Sequence, residues 1–243
     1  RGDLVHALRA HNTTIANEPS EPNGIDKCFT LLNFGAMAEA KRCSAKLAVI
    51  YPQSRSQAQL QAALAGFEGD FTTALSLMEL ENQTEAWNNA AVLQLNGRSE
   101  QALAIYQKLV PEAFAQPPVP GTSLYPGDTV AVGAALISTG AVKQAQQVLR
   151  MGIKDAAALP LAGHLGRRWS EVYAYALLAE YGNACKALAE AADKGYFHNY
   201  LQLAVDPELA QLRQQPCFEK QYGRIQAQAE AQVAAARKAG LLP

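Results

Sequence analysis

A glycine followed five residues later by an alanine recurs along this chain: Gly35 and Ala40, Gly69 and Ala74, Gly97 and Ala102, Gly140 and Ala145, Gly182 and Ala187. The glycines stand 34, 28, 43 and 42 residues apart. A period in this range marks stacked supersecondary units, none of which can bury its faces alone. Seven residues before the glycines come Cys28, Ala62, Ala90, Gly133 and Tyr175, four of them small. Four residues before come Leu31, Ala65, Leu93, Leu136 and Leu178, all apolar. The pattern predicts an α-hairpin: a first helix ends at the glycine, which adopts positive φ at low cost. A second helix then brings its alanine opposite the small residue of the first, and two small residues let the helices approach closely. An all-α chain of about five such hairpins follows, at about 25–51, 55–81, 84–109, 127–154 and 165–194.

These segments resemble the tetratricopeptide repeat family. The residues that carry the resemblance are Thr129 to Ala145, with Val132, Gly133, Leu136, Gly140 and Ala145 in register. Glu85 to Pro111 matches through Trp87, Gly97, Ala102, Tyr106 and Pro111, and Asp26 to Pro52 ends in the expected proline. The resemblance implies an α-α superhelix of tetratricopeptide-like hairpins closed by a C-terminal capping helix. Its repeats span 25–195, with the end of a preceding helical unit and a connector in 1–24 and capping helices in 196–243. The connector is Asn17 to Gly24, and the longest linker, Ala115 to Asp128, holds four prolines and two glycines. Past Gly195 the register is lost. A short helix is expected from about Pro207, with Asp206 as its N-cap, and a long one from about Pro216. "DPELAQLRQQPCFEK" and the terminal "AGLLP" resemble a segment closing arrays attached to bacterial adenylate-cyclase-type proteins or membrane-spanning winged-helix transcriptional regulators. In those proteins the array has a regulatory or interaction role. The start at Arg1 reads as mid-helix, so a longer protein is expected upstream.

Composition narrows the function. Against 21 basic residues stand 22 acidic ones, a net charge of −1, and no basic block suits nucleic acid or an anionic membrane. No apolar run approaches the ~20 residues that cross a bilayer. Neither a GxSxG elbow, a phosphate loop nor an HExxH motif is present, and His6, His11, His164 and His198 stand without a carboxylate at helical spacing. A non-catalytic module without cofactor or metal is expected. An enzyme with an unrecognised pocket near the proline-rich loop and the last repeats is the alternative.

A ligand would sit on the inner wall formed by first helices, on the face opposite the small residues. Trp87, Asn88, Gln94, Arg168, Trp169 and Val172 fall there, and Asn88 and Asn89 add amides that both donate to and accept from an extended peptide backbone. The resemblance implies the same use, because peptide-binding members place an asparagine on this helix. A carboxylate clamp is disfavoured, since basic residues of the wall are confined to Arg167 and Arg168. A protein or peptide partner is expected, with a homodimer through an exposed end of the stack as a further option.

Four cysteines remain. Cys28 and Cys43 stand seven before and eight after Gly35, nearly level across an antiparallel pair. Cys185 lies in the fifth hairpin and Cys217 opens the last helix. Buried thiols, one or two disulfides (Cys28 with Cys43, Cys185 with Cys217) and a zinc site are the readings. Disulfides would place the chain in an oxidising space, as the periplasmic domain of a membrane protein, with a cytoplasmic location as the alternative.

Overall fold

The computed structural model describes residues 3–52, 54–80, 87–118, 126–157, 159 and 169–242. Among them every regular element is helical. The chain divides into two compact units, one of residues 1–82, 195–205 and 222–243, the other of residues 83–194 and 206–221.

The first unit opens with α1 (Leu4–Asn17), whose buried Leu4 and Leu8 pack toward α2. Asp3 caps it by accepting from the His6 amide. The same carboxylate meets the His6 ring at 2.8 Å, so His6 does have an acidic neighbour at helical spacing, in an exposed cap. Hairpin 1 pairs α2 (Glu21–Asn33) with α3 (Met37–Ile50), and hairpin 2 pairs α4 (Arg55–Phe67) with α5 (Phe71–Leu80). α2 starts inside the expected connector, because Pro22 suits a first helical turn and Glu21 sits favourably at the positive helix end. Residues 195–205, with the short α12 (Tyr200–Val205), pack on these hairpins: the Asn199 amide donates to the Asn33 carbonyl at 2.9 Å, and Phe197 meets Phe34 edge-on. Residues 222–238 bury an apolar stripe of Ile225, Ala229, Val233 and Ala236, and Arg237 reaches Glu39 at 2.7 Å.

The second unit holds hairpin 3, of α6 (Trp87–Leu95) and α7 (Ser99–Leu109), and hairpin 4, of α8 (Pro126–Ser138) and α9 (Val142–Ala157). Hairpin 5 joins α10 (Ser170–Leu177) to α11 (Tyr181–Asp193). The first helices are neighbours in the order α6, α8, α10. A 3-10 turn (Pro207–Leu209) and the one-turn α13 (Ala210–Arg213) follow, then α14 (Pro216–Lys238), whose first residues to Gln221 belong to this unit.

One turn builds all five hairpins. Its left-handed residue is Gly35, Gly69, Gly97 or Gly140, with φ between 73° and 84°, and in hairpin 5 it is Ala179 at φ 58°. That residue's amide donates to the carbonyl three positions back, and the next amide to the carbonyl five positions back, as in Asp70 to Ala65 and Glu180 to Tyr175, both within 2.9 Å. These bonds satisfy carbonyls that a helix end leaves orphaned. The following residue caps the second helix, its carbonyl accepting from Ala40, Ala74, Ala102, Ala145 and Ala184. Those five alanines are at most 1% exposed.

Hairpin 5 therefore corrects the register. Gly182 lies within α11, the buried alanine is Ala184 rather than Ala187, and the position seven residues before the left-handed residue is the buried Val172 rather than Tyr175. The close approach itself is plain in hairpin 4, where a Cβ on Gly133 would stand 2.5 Å from Leu149.

Candidate functional site

The wall residues separate by burial. On α6, Trp87 is half-buried and meets Tyr106 of its own hairpin with ring centroids 4.7 Å apart and planes tilted by 48°, while Asn88 is exposed. Asn89 and Gln94 are buried, as are Trp169 and Val172 on or beside α10. Arg168, with Arg167, lies outside the described residues. Asn89 is thus covered, its Oδ1 lacking a partner among the described residues. Of the two adjacent amides, Asn88 alone is open to an incoming chain.

Burial of Gln94 has a specific source. Its amide nitrogen donates to Ser138 Oγ on α8 at 3.1 Å, and its side chain hydrogen-bonds the Glu208 carboxylate. On α10, Tyr173 donates its hydroxyl to Asp206 Oδ2 at 2.9 Å. Gln94, Ser138 and Tyr173 lie three, two and six residues before the left-handed residues of their turns, and all three belong to first helices. Gln94 of α6 and Tyr173 of α10 therefore converge on residues 206–208 of the chain itself, while Ser138 of α8 bonds Gln94.

That segment is shaped locally. Asp206 is extended (φ −63°, ψ 120°) and caps the 3-10 turn, Oδ1 accepting from the Glu208 amide at 2.9 Å, and Pro207 needs no amide partner there. Arg213 Nη1 closes the loop by donating to the Asp206 carbonyl at 2.6 Å. Leu209 and Leu212 are fully buried. Downstream, Cys217 and Cys185 sit at disulfide distance with Cα atoms 6.0 Å apart. The other pair, Cys28 and Cys43, sits at disulfide distance with 5.5 Å between Cα atoms.

The electrostatics follow from desolvation. Burial pushes the Glu208 carboxyl well above the usual carboxylate range, and the neighbouring Asp206 charge pushes it further. Burial raises Asp206 too, partly offset by the Glu208 amide, Tyr173 and Arg213. Tyr173 and Tyr106 are held above the usual phenol range by burial first, then by Asp206 for the one and by Glu208 and Asp128 for the other. The donors that α6 and α10 offer these two acids are a phenol and an amide, both neutral. Asp206, Glu208 and Tyr173 escaped sequence reasoning as site residues. A carboxylate pair two residues apart beside a loss of repeat register was the available signal.

Elsewhere, a shallow cavity of about 670 Å³ lies between Gln116 and the turn of hairpin 4, lined by Lys143, Gln144 and Gln147. Among its lining residues Lys143 is the ionisable one, so convergent acid–base groups do not gather there. Among the described residues no group of His, Cys, Asp and Glu is arranged to hold a metal, and no helix is long and apolar enough to cross a membrane. In comparisons with known proteins, no family model, curated protein or solved structure matches this chain.

Proposed function

We propose that this chain is a non-catalytic helical-repeat module of tetratricopeptide type, which binds a protein or peptide partner or senses a signal within a larger bacterial regulatory protein. The observation that carries the reading is the pair of neutral donors on α6 and α10, Gln94 and Tyr173, that hold Glu208 and Asp206 of a short turn segment. Sequence-tolerant peptide binding uses this chemistry: side-chain amides and hydroxyls orient a chain while apolar pockets take its side chains. The five matching turns support the family, because they reproduce one hairpin with one buried alanine.

The cysteine pairs favour an oxidising compartment, and we place the module in the periplasm on that ground. Thiol titration of the unreduced, denatured protein tests it: no reactive thiol is expected, and four would remove the compartment argument. The binding reading is tested by a photo-crosslinking side chain at position 88, on the exposed face of α6, in the host cell. A discrete adduct from position 88 and none from position 143 is expected. Failure of position 88 to capture any partner overturns the reading.

A further inference from the structure

We propose that the face of α6 and α10 recognises an acidic Asp-x-Glu-Leu peptide, and that residues 206–213 occupy it as an internal ligand which an outside peptide must displace. The inference rests on reading the chain as a partner-binding module and names the ligand chemistry of that same site.

Three observations carry it. First, the segment is bound as a peptide ligand is bound. Two acidic side chains take single donors from two different helices, Asp206 from Tyr173 on α10 and Glu208 from Gln94 on α6. Two leucines accompany them, Leu209 and Leu212, both fully buried, Leu209 in the 3-10 turn that contacts α10. Second, residues 206–221 belong to the second unit while the residues before and after them in sequence, 195–205 and 222–243, belong to the first. The segment is a short excursion of the chain into this groove, outside the repeat register. Third, the fit is incomplete. Gln94 Oε1 and the Tyr106 hydroxyl are buried without a partner among the described residues, and Tyr106 is near enough to feel the Glu208 charge. Asp206 and Glu208 lie close enough for each charge to disfavour the other. A core element would be expected to satisfy those groups. An occupant that leaves them idle can be exchanged for one that does not.

Displacement is a population effect. A groove open only a fraction of the time binds an outside peptide more weakly by that fraction. The probe is a fluorescent peptide of residues 204–214, added to the full chain and read by anisotropy. Three proteins are compared at neutral pH: the unaltered chain, Leu209→Ala, which weakens the internal segment while the probe keeps its leucine, and Glu208→Gln. In the last, a neutral amide can both accept from Gln94 and donate to the idle Gln94 Oε1, locking the segment in. Leu209→Ala is expected to bind the probe about tenfold more tightly than the unaltered chain. Glu208→Gln is expected to bind it about fivefold more weakly. Adding Tyr173→Phe to Leu209→Ala should cancel most of the gain.

Equal probe affinity in the three proteins overturns the inference. So does absence of binding to Leu209→Ala when hydrogen exchange reports hairpins 3 to 5 still protected. Should Leu209→Ala unfold the unit, the comparison of Glu208→Gln with the unaltered chain decides alone, and equal affinity there overturns it. Crosslinking from position 88 with no probe binding would leave the module standing without this ligand, whereas loss of both would end the module reading.

Discussion

Gly152 and Gly223 both lie inside helices, yet they answer the same substitution oppositely. An alanine at either position gains about 1 kcal/mol of intrinsic helix propensity. At Gly223 nothing lies within 4 Å of the new methyl group, so Gly223→Ala is expected to stabilise by about 0.5–1 kcal/mol. At Gly152 the new Cβ would stand 2.8 Å from the Cβ of Thr129, which is 1% exposed and has no free space to retreat into. Overpacking costs about 1–3 kcal/mol, so Gly152→Ala is expected to destabilise by about 1 kcal/mol net. Urea denaturation of the two variants checks both signs. If Gly152→Ala stabilises, α8 and α9 are not packed as closely as Thr129 and Gly152 require. The same scale explains Glu208: a single charge, desolvated beside another, makes its neutral isostere the better-fitting residue. Glu208→Gln should raise stability at neutral pH by about 1 kcal/mol, measured in the same way.

At the scale of the hairpin, the turn decided how much the sequence could reveal. Four turns end on glycine, and glycine is visible in a string of letters. The fifth puts Ala179 into the left-handed region, where a methyl group costs about 1–2 kcal/mol, and offers a decoy glycine three residues on. Three residues is nearly one helical turn, so the misread register still found apolar partners, and its warning was Tyr175 where the other four units carry a small residue. The exposed Ala179 has no packing to lose, so Ala179→Gly should stabilise hairpin 5 by about 0.5–1 kcal/mol after the added unfolded-state entropy of glycine. Thermal melts of the variant check this, and an unchanged or lower midpoint would mean the turn is not strained. The cysteine pairs were legible for a related reason. Both cysteines of hairpin 1 are fixed by counting from a single local turn. The docking of residues 206–213 was not legible, because Asp206 as a cap is local whereas its partner Tyr173 is 33 residues away and set by how three hairpins stack. Gln94 was placed on the correct helix, but its burial depends on Glu208, which lies far along the chain.

Across the whole molecule, the two units should respond to acid in opposite directions. In the first, burial raises the Glu39 carboxyl, but hydrogen bonds from Arg237 and the backbone and the charges of Arg237 and Arg42 outweigh it, leaving its pKa below the ordinary 4.5. A carboxyl depressed by folding contributes stability that is present above its unfolded pKa and lost as pH falls through the folded one. The first unit therefore keeps this contribution at about pH 5 and loses it only in stronger acid. In the second, Asp206 and Glu208 are raised above 3.8 and 4.5 respectively. Their folded state binds protons more readily than the unfolded one, so their contribution is greatest in acid and is lost as pH rises through the raised values. The groups facing them do not reverse the sign: Gln94 is neutral, Tyr173 and Tyr106 stay protonated, and Arg213 offsets the rise of Asp206 in part. Native-state hydrogen exchange reads each unit separately. Between about pH 7 and about pH 5, with intrinsic rates corrected, amides of residues 208–212 should gain protection while those of α3 stay level. In Glu208→Gln most of that gain should vanish. Loss of protection at residues 208–212 on acidification would mean that both carboxylates are ionised and well solvated where they sit. The groove would then hold its occupant by charge rather than by neutral donors, and the basis for choosing its ligand would be gone.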